Sequence, residues 1–147
     1  MQMALETYGL AGLFLGAFLA ATILPFSSEA MFLLFLYKGY DPTLCLVIVI
    51  AGNCLGSVLN YGIGRLGNPR WMKRLGFREA QLEKNRLRID KYGAFLGFFA
   101  WMPVIGDPLL LALGYFRSPA VKTLCWMTVG KILRYSLVLW GWHAVYG

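Results

Sequence analysis

Two long apolar stretches of this chain break at matching places, each with a carboxylate beside the break. The first reads Leu24-Pro25-Phe26-Ser27-Ser28-Glu29 and the second Trp101-Met102-Pro103-Val104-Ile105-Gly106-Asp107-Pro108. In hydrocarbon, a backbone freed by proline must find other partners, so irregular backbone at that depth survives only inside protein or along a wet cavity. A carboxylate placed there costs about 2.5–3.5 kcal/mol on insertion scales, and its retention implies a task. Paired breaks of this kind point to a membrane protein, and within that class to transport.

The composition agrees. Of 147 residues 59% are hydrophobic, 16% aromatic and only 14% charged, and the apolar runs are too long for a soluble core of this size. The expected fold is therefore all-α and polytopic, a single membrane domain over residues 1–147. Met1 to Tyr8 has no basic residue and carries Glu6, so the N-terminus is expected to be retained rather than cleaved as a signal peptide. Cys45, Cys54 and Cys125 all lie in apolar runs and are odd in number, which suits small apolar residues better than a disulfide framework.

Charge sets the orientation. Residues 65–91 hold nine basic and three acidic side chains, so nearly all of the net +7 lies in that one segment. Short loops rich in Lys and Arg stay on the cytoplasmic side, which places 65–91 there as a topological signal rather than a nucleic-acid patch. Leu82, Arg86 and Ile89 follow helical spacing, with Trp71, Met72, Leu75 and Phe77 nearby, as in an interfacial helix touching anionic headgroups.

The spans follow from length. Residues 8–37 are long for one upright crossing and short for two with a turn, so two half-helices meeting near Pro25 fit best. Residues 43–63 then make a full transmembrane helix after the turn signal Lys38-Gly39-Tyr40-Asp41-Pro42. Beyond the basic loop the order recurs, with a broken segment over 93–116 and a long helix over 119–146. Two broken-then-spanning halves of opposite orientation, each with a re-entrant segment, are the arrangement found in many secondary transporters. Simple proline kinks are the plainer alternative.

Four motifs in order carry a family resemblance. Pro25-Phe26-Ser27-Ser28-Glu29, Gly52-Asn53-Cys54-Leu55-Gly56 continuing to Asn60-Tyr61-Gly62-Ile63-Gly64-Arg65, Trp101 through Asp107, and Gly130-Lys131-Ile132-Leu133-Arg134-Tyr135 resemble the DedA family, in particular its short YqaA-type members. The family is also described as carrying the VTT or SNARE-associated domain, and the likeness runs from about residue 10 to 140. It implies a multi-pass protein of the bacterial inner membrane with opposed re-entrant segments and a role in moving lipids between leaflets. Family substrates include polyprenyl phosphates and phospholipids, and other members are linked to proton-motive force and envelope stress. This chain has Ser27 where a second proline is expected. It has Ala100 and Gly106 where two arginines usually bracket the second break, so no phosphate-binding arginine carries over to those positions.

Individual residues divide between structural and functional roles. Glu29 either supports a half-helix N-terminus, with Ser27 or Ser28 as the cap, or lies on a proton or substrate pathway. Asp107, between Gly106 and Pro108, has the same choice, or pairs with a cation. Lys131 and Arg134 stand three apart on one side of the last helix, far from its ends. Either an Asp107–Arg134 ion pair joins the halves, or one of the two cations takes an anionic headgroup in place of the missing arginines. A substrate that competes for the pair reconciles both. Gly52, Gly56, Asn60 and Gly64 recur every four residues, a stripe for close helix packing, with an interhelical hydrogen bond expected of Asn60. Asn53 is open to a polar-cavity role. Arg65 is read as an anchor, and His143 as part of an aromatic belt with Trp140, Trp142 and Tyr146.

No nucleophile and base, phosphate loop or metal-ligand spacing assembles from these residues, so neither enzyme activity nor a metal or cofactor is expected. The expected function is movement of an anionic lipid, polyprenyl phosphate or phospholipid, between leaflets, with proton coupling through the intramembrane carboxylates. The alternatives are a proton-coupled ion or drug exchanger supporting envelope homeostasis, and a non-transporting scaffold. Four membrane segments are few to enclose a lipid path, which favours a homo-oligomer.

Overall fold

The computed structural model describes residues 2–22, 27–67, 69–74, 78, 80, 88, 91–102 and 105–147. Every regular element among them is helical. They are α1 (Gln2–Thr22), α2 (Ser28–Tyr37), α3 (Pro42–Arg65), α4 (Pro69–Arg74), α5 (Gly106–Tyr115) and α6 (Ala120–Tyr146), with residues 91–96 helical and running into the 3-10 segment Gly97–Trp101. The all-helical expectation holds. Pro25, Pro103, the interfacial helix expected around Leu82, Arg86 and Ile89, and the anchors Leu75 and Phe77 lie outside the described residues.

Local chemistry sets the boundaries. Ser27 caps α2, its Oγ accepting from Ala30 N at 3.2 Å. At the far end Lys38, Gly39 and Tyr40 donate their N–H groups to Leu34, Leu36 and Phe35, with Gly39 at φ +84°. That is a Schellman stop, whose left-handed residue is easiest for glycine. Asp41 then caps α3, its Oδ1 accepting from Leu44 N at 2.7 Å, with Pro42 in the first helical position.

The second half repeats this scheme. Phe116, Arg117 and Ser118 donate to Ala112, Gly114 and Leu113, the same three-bond pattern, with Arg117 at φ +54° in the place of Gly39. α2 and α5 are each ten residues long, end on Tyr37 and Tyr115, and carry Glu29 and Asp107 in their first turns. These pairs stand 78 positions apart, as do Pro25 and Pro103, and Gly52 and Gly130. At 1.5 Å per residue α2 and α5 are about 15 Å long, half the roughly 30 Å of a bilayer's hydrocarbon.

The described chain forms two compact units. The first comprises Met1–Ser57 and Lys131–Gly147. A Cβ on Gly9 would strike Tyr40 and one on Gly16 would strike Met31, so α2 runs back along α1 as an antiparallel hairpin. A Cβ on Gly52 would meet the Phe14 carbonyl, and one on Gly56 would lie 2.6 Å from the Phe18 oxygen and 2.8 Å from Ala21 Cβ, so α3 runs parallel to α1 at backbone contact. Leu13, Ala17, Phe32, Leu36, Cys45, Val49 and Tyr135 form the core of this unit.

The second unit is Val58–Gly130. In it α3 and α5 meet backbone to backbone. A Cβ on Gly64 would fall 3.0 Å from Tyr115 N, and one on Gly114 3.0 Å from Arg65 N. Tyr61 Oη donates to Ser118 O, and the Ser118 and Thr123 hydroxyls are 2.9 Å apart, all buried. Among the cysteines Cys45 is buried, Cys54 half-buried and Cys125 exposed, and no disulfide occurs among the described residues.

Beside this apolar core, α3 and α6 turn large apolar side chains outward and bury several polar ones. Leu44, Val47, Leu55, Leu59 and Ile63 of α3, and Val121, Val129, Leu133, Leu137 and Trp140 of α6, are exposed, whereas Asn53, Ser57, Asn60, Thr123 and Lys131 are buried. Among the described residues α3 is the one helix both long and apolar enough to cross a membrane. α6 is longer, but Lys122, Lys131, Arg134 and His143 make it more polar. The exposed apolar surface belongs in hydrocarbon, and the buried polar groups mark the interior of a membrane protein.

Candidate functional site

The first turn of α2 and the middle of α6 meet inside the first unit. Lys131, Arg134 and Tyr135 share one side of α6 because they are spaced three and four apart, and Asn53 and Ser57 share one side of α3 for the same reason. The first turn of α2 presents Ser27, Ser28 and Glu29.

Glu29 forms an ion pair with Arg134, Oε1 to Nη2. Its other oxygen accepts from Ser27 Oγ at 2.9 Å, so one serine caps the helix and holds the carboxylate together. The negative charge also sits at the positive end of the α2 dipole. The Arg134 guanidinium lies 5.7 Å from the centre of the Tyr135 ring, and Tyr135 Oη is 2.6 Å from Ser28 Oγ in a buried contact. Phe32 meets the Tyr135 ring edge-on at 6.1 Å. Of the two serines posed as the cap of this turn, Ser27 is the one that caps it, and Glu29 carries an ion pair besides.

Lys131 has a different environment. It is 1% exposed, and its Nζ donates to the Asn53 carbonyl at 3.2 Å, to Asn53 Oδ1 and to Ser57 Oγ. Asn53 Nδ2 in turn donates to Ala17 O at 3.3 Å, tying α3 to α1. Asn53 and Lys131 are themselves 78 positions apart. Lys131 and Arg134 therefore differ in access, since the Arg134 and Glu29 side chains keep 17% and 20% of their surface.

The site residues expected from sequence divide between the two units. Glu29, Asn53, Lys131, Arg134, Ser27 and Ser28 belong to the first unit, where Arg134 pairs with Glu29. Gly106, Asp107 and Pro108 form the first turn of α5 in the second unit. Ala100 and Gly106, the positions where the resemblance expects arginines, are both buried, and a Cβ on Gly106 would lie 2.7 Å from the Ala100 carbonyl carbon. No guanidinium fits there. Gly52 and Gly56 pack on α1, Gly64 on α5, and Asn60 is buried. Sequence reasoning missed Ser57 and Tyr135 as site residues, although each stands four residues after a residue it named, Asn53 and Lys131. Among the described residues no three His, Cys, Asp or Glu side chains cluster as a metal site would require.

The chain is similar to known proteins along most of its length. The inner membrane protein YqaA of Escherichia coli K12 is 33% identical over 138 residues, 90% of each chain, and its Shigella flexneri counterpart matches equally. An uncharacterized protein of Haemophilus influenzae is 33% identical over 135 residues, 86% of this chain and 83% of its own. No family model and no solved structure matches the chain.

Proposed function

The chain belongs to the YqaA-type branch of the DedA family of bacterial inner-membrane proteins, and from that premise we propose that it moves anionic lipids between leaflets, with Arg134 receiving the headgroup. The observation that carries this reading is the Glu29–Arg134 pair, set at the first turn of α2 and still partly accessible. A guanidinium fork fits phosphate oxygens as well as a carboxylate. An arriving phosphate exchanges with Glu29 for Arg134, and the released carboxylate stays tolerable through Ser27 and the α2 dipole, or takes up a proton. Lys131, held by Asn53 and Ser57, fixes α6 against α3 so that Arg134 keeps its position. No bond of the lipid is made or broken in this scheme.

The topology proposed with it is a pair of inverted halves. Each repeat contains a hairpin that returns to its starting side and one long helix. An odd number of crossings per repeat makes the second repeat enter from the opposite face, and residues 65–91 between them remain cytoplasmic. A single cysteine replacing Asp41 should then react with an impermeant thiol reagent from outside, and one replacing Arg74 only when the cytoplasmic face is open. Labelling of both from one side would refute the inversion. A second copy of the chain is the partner proposed to complete the lipid path.

Reconstitution tests the activity. Purified protein in liposomes should carry labelled phosphatidylglycerol across the bilayer faster than empty liposomes do, and Glu29→Gln should slow it while leaving the protein folded in detergent. A pH gradient should change the rate if Glu29 exchanges protons in each cycle. Proton flux that requires added cations, with lipid movement no faster than in empty liposomes, would favour the exchanger instead.

A further inference from the structure

Within the first unit an open groove of about 570 Å³ lies between α2 and α6, a size usual for small-ligand sites. Its walls include Ala30, Leu34 and Tyr37 on α2 and Gly141, Trp142 and Tyr146 on α6, and no charged side chain lines it. It begins one residue beyond Glu29, and its first α6 residue, Val138, is one helical turn beyond Arg134. From there it runs about 12 Å along α6, close to the roughly 15 Å depth of one leaflet. The inner end thus meets a cation. The outer end reaches Trp142 and Tyr146, stacked at 4.3 Å, aromatic residues of the kind that sit at headgroup level.

This deepens the lipid reading and rests on it: we propose that the α2–α6 groove is the acyl-chain subsite for an anionic phospholipid whose phosphate is engaged at Arg134. Charge complementarity selects this occupant. An uncharged channel one helix face wide on each side suits a single hydrocarbon chain, and the guanidinium one turn before its inner end on α6, paired with Glu29 until a phosphate exchanges with that carboxylate, is shaped for phosphate. Leu34, Tyr37, Val145 and Tyr146 are exposed, so the groove opens toward hydrocarbon and a chain enters sideways without crossing water. Gly141 shapes the floor. Nothing lies within 4 Å of where its Cβ would be, so any larger side chain there projects into the space assigned to the chain.

The test uses phosphatidylglycerol bearing a diazirine in one acyl chain, irradiated with the full-length protein in liposomes. Adducts should concentrate on residues 30–37 and 138–146, exceed those from the phosphatidylcholine analogue, and be lost in Gly141→Trp, which should also slow lipid movement. Val47→Trp, on the exposed face of α3, should change neither. Adducts spread evenly over the exposed faces of α3 and α6 and unaltered by Gly141→Trp would make the groove ordinary lipid contact and overturn the proposal. Lipid movement that persists in Gly141→Trp with unchanged labelling would remove the groove and leave the transport reading standing. Groove-specific labelling in a wild-type protein that moves no lipid would do the opposite.

Discussion

Neutralising Arg134 alone, as Arg134→Gln, is expected to cost the folded protein about 3 kcal/mol and to stop lipid movement. The change leaves Glu29 charged in an apolar shell, with Ser27 Oγ and the α2 dipole for support, and removal of one member of a buried pair commonly costs 3–5 kcal/mol. The low end applies because both side chains keep part of their surface. Glu29→Gln strands the guanidinium instead, but an arginine reaches other acceptors and the Tyr135 ring more readily, so its effect on stability should be smaller. The double neutral variant should recover most of the loss, because two neutral groups need no mutual charge compensation. Thermal unfolding in detergent checks the cycle, with Arg134→Gln lowering Tm by roughly 6 °C or more for a chain of this size. A loss in the double variant equal to the sum of the two single losses would show that the pair contributes no coupling.

Much of the architecture was legible because membrane folding rests on short-range rules. The apolar lengths, the Pro-bearing breaks and Lys38-Gly39-Tyr40-Asp41-Pro42 each act on their own few residues, and an all-helical chain is the direct consequence in hydrocarbon. The second stop was harder to see. Arg117 occupies a left-handed position that sequence habit gives to glycine, and only the hydrogen bonds of Phe116, Arg117 and Ser118 reveal that it copies the first. The acidic and basic residues of the site were visible as costly intramembrane charges, but their partners were not, because pairing depends on which helix faces come together. Glu29 and Asp107 are alike in sequence context, each in the first turn of a ten-residue helix. Nothing local tells that Glu29 pairs with Arg134. Ser57 and Tyr135 escaped notice for a related reason, since a serine and a tyrosine are unremarkable in an apolar helix until a buried ammonium or a second hydroxyl is found beside them.

The burial of Lys131 leads to the other large effect, and it falls on the acceptors rather than on the cation. Asn53→Leu keeps the ammonium 1% exposed while taking away its Oδ1 acceptor and the Nδ2 bond to Ala17. An under-coordinated buried charge is among the most destabilising changes available, and about 3–5 kcal/mol is expected. Lys131→Met removes the charge together with its desolvation penalty, fills nearly the same volume, and leaves the Asn53 and Ser57 side chains one turn apart on α3, near enough to hydrogen-bond each other. Its stability should stay within about 1–2 kcal/mol of the parent. The activities should separate the cations as well. If Lys131 fixes α6 and Arg134 meets the lipid, Lys131→Met retains most lipid movement in liposomes, Arg134→Gln loses it, and Asn53→Leu loses it through unfolding. A folded Lys131→Met protein that moves no lipid would transfer the headgroup role from Arg134 to the buried amine.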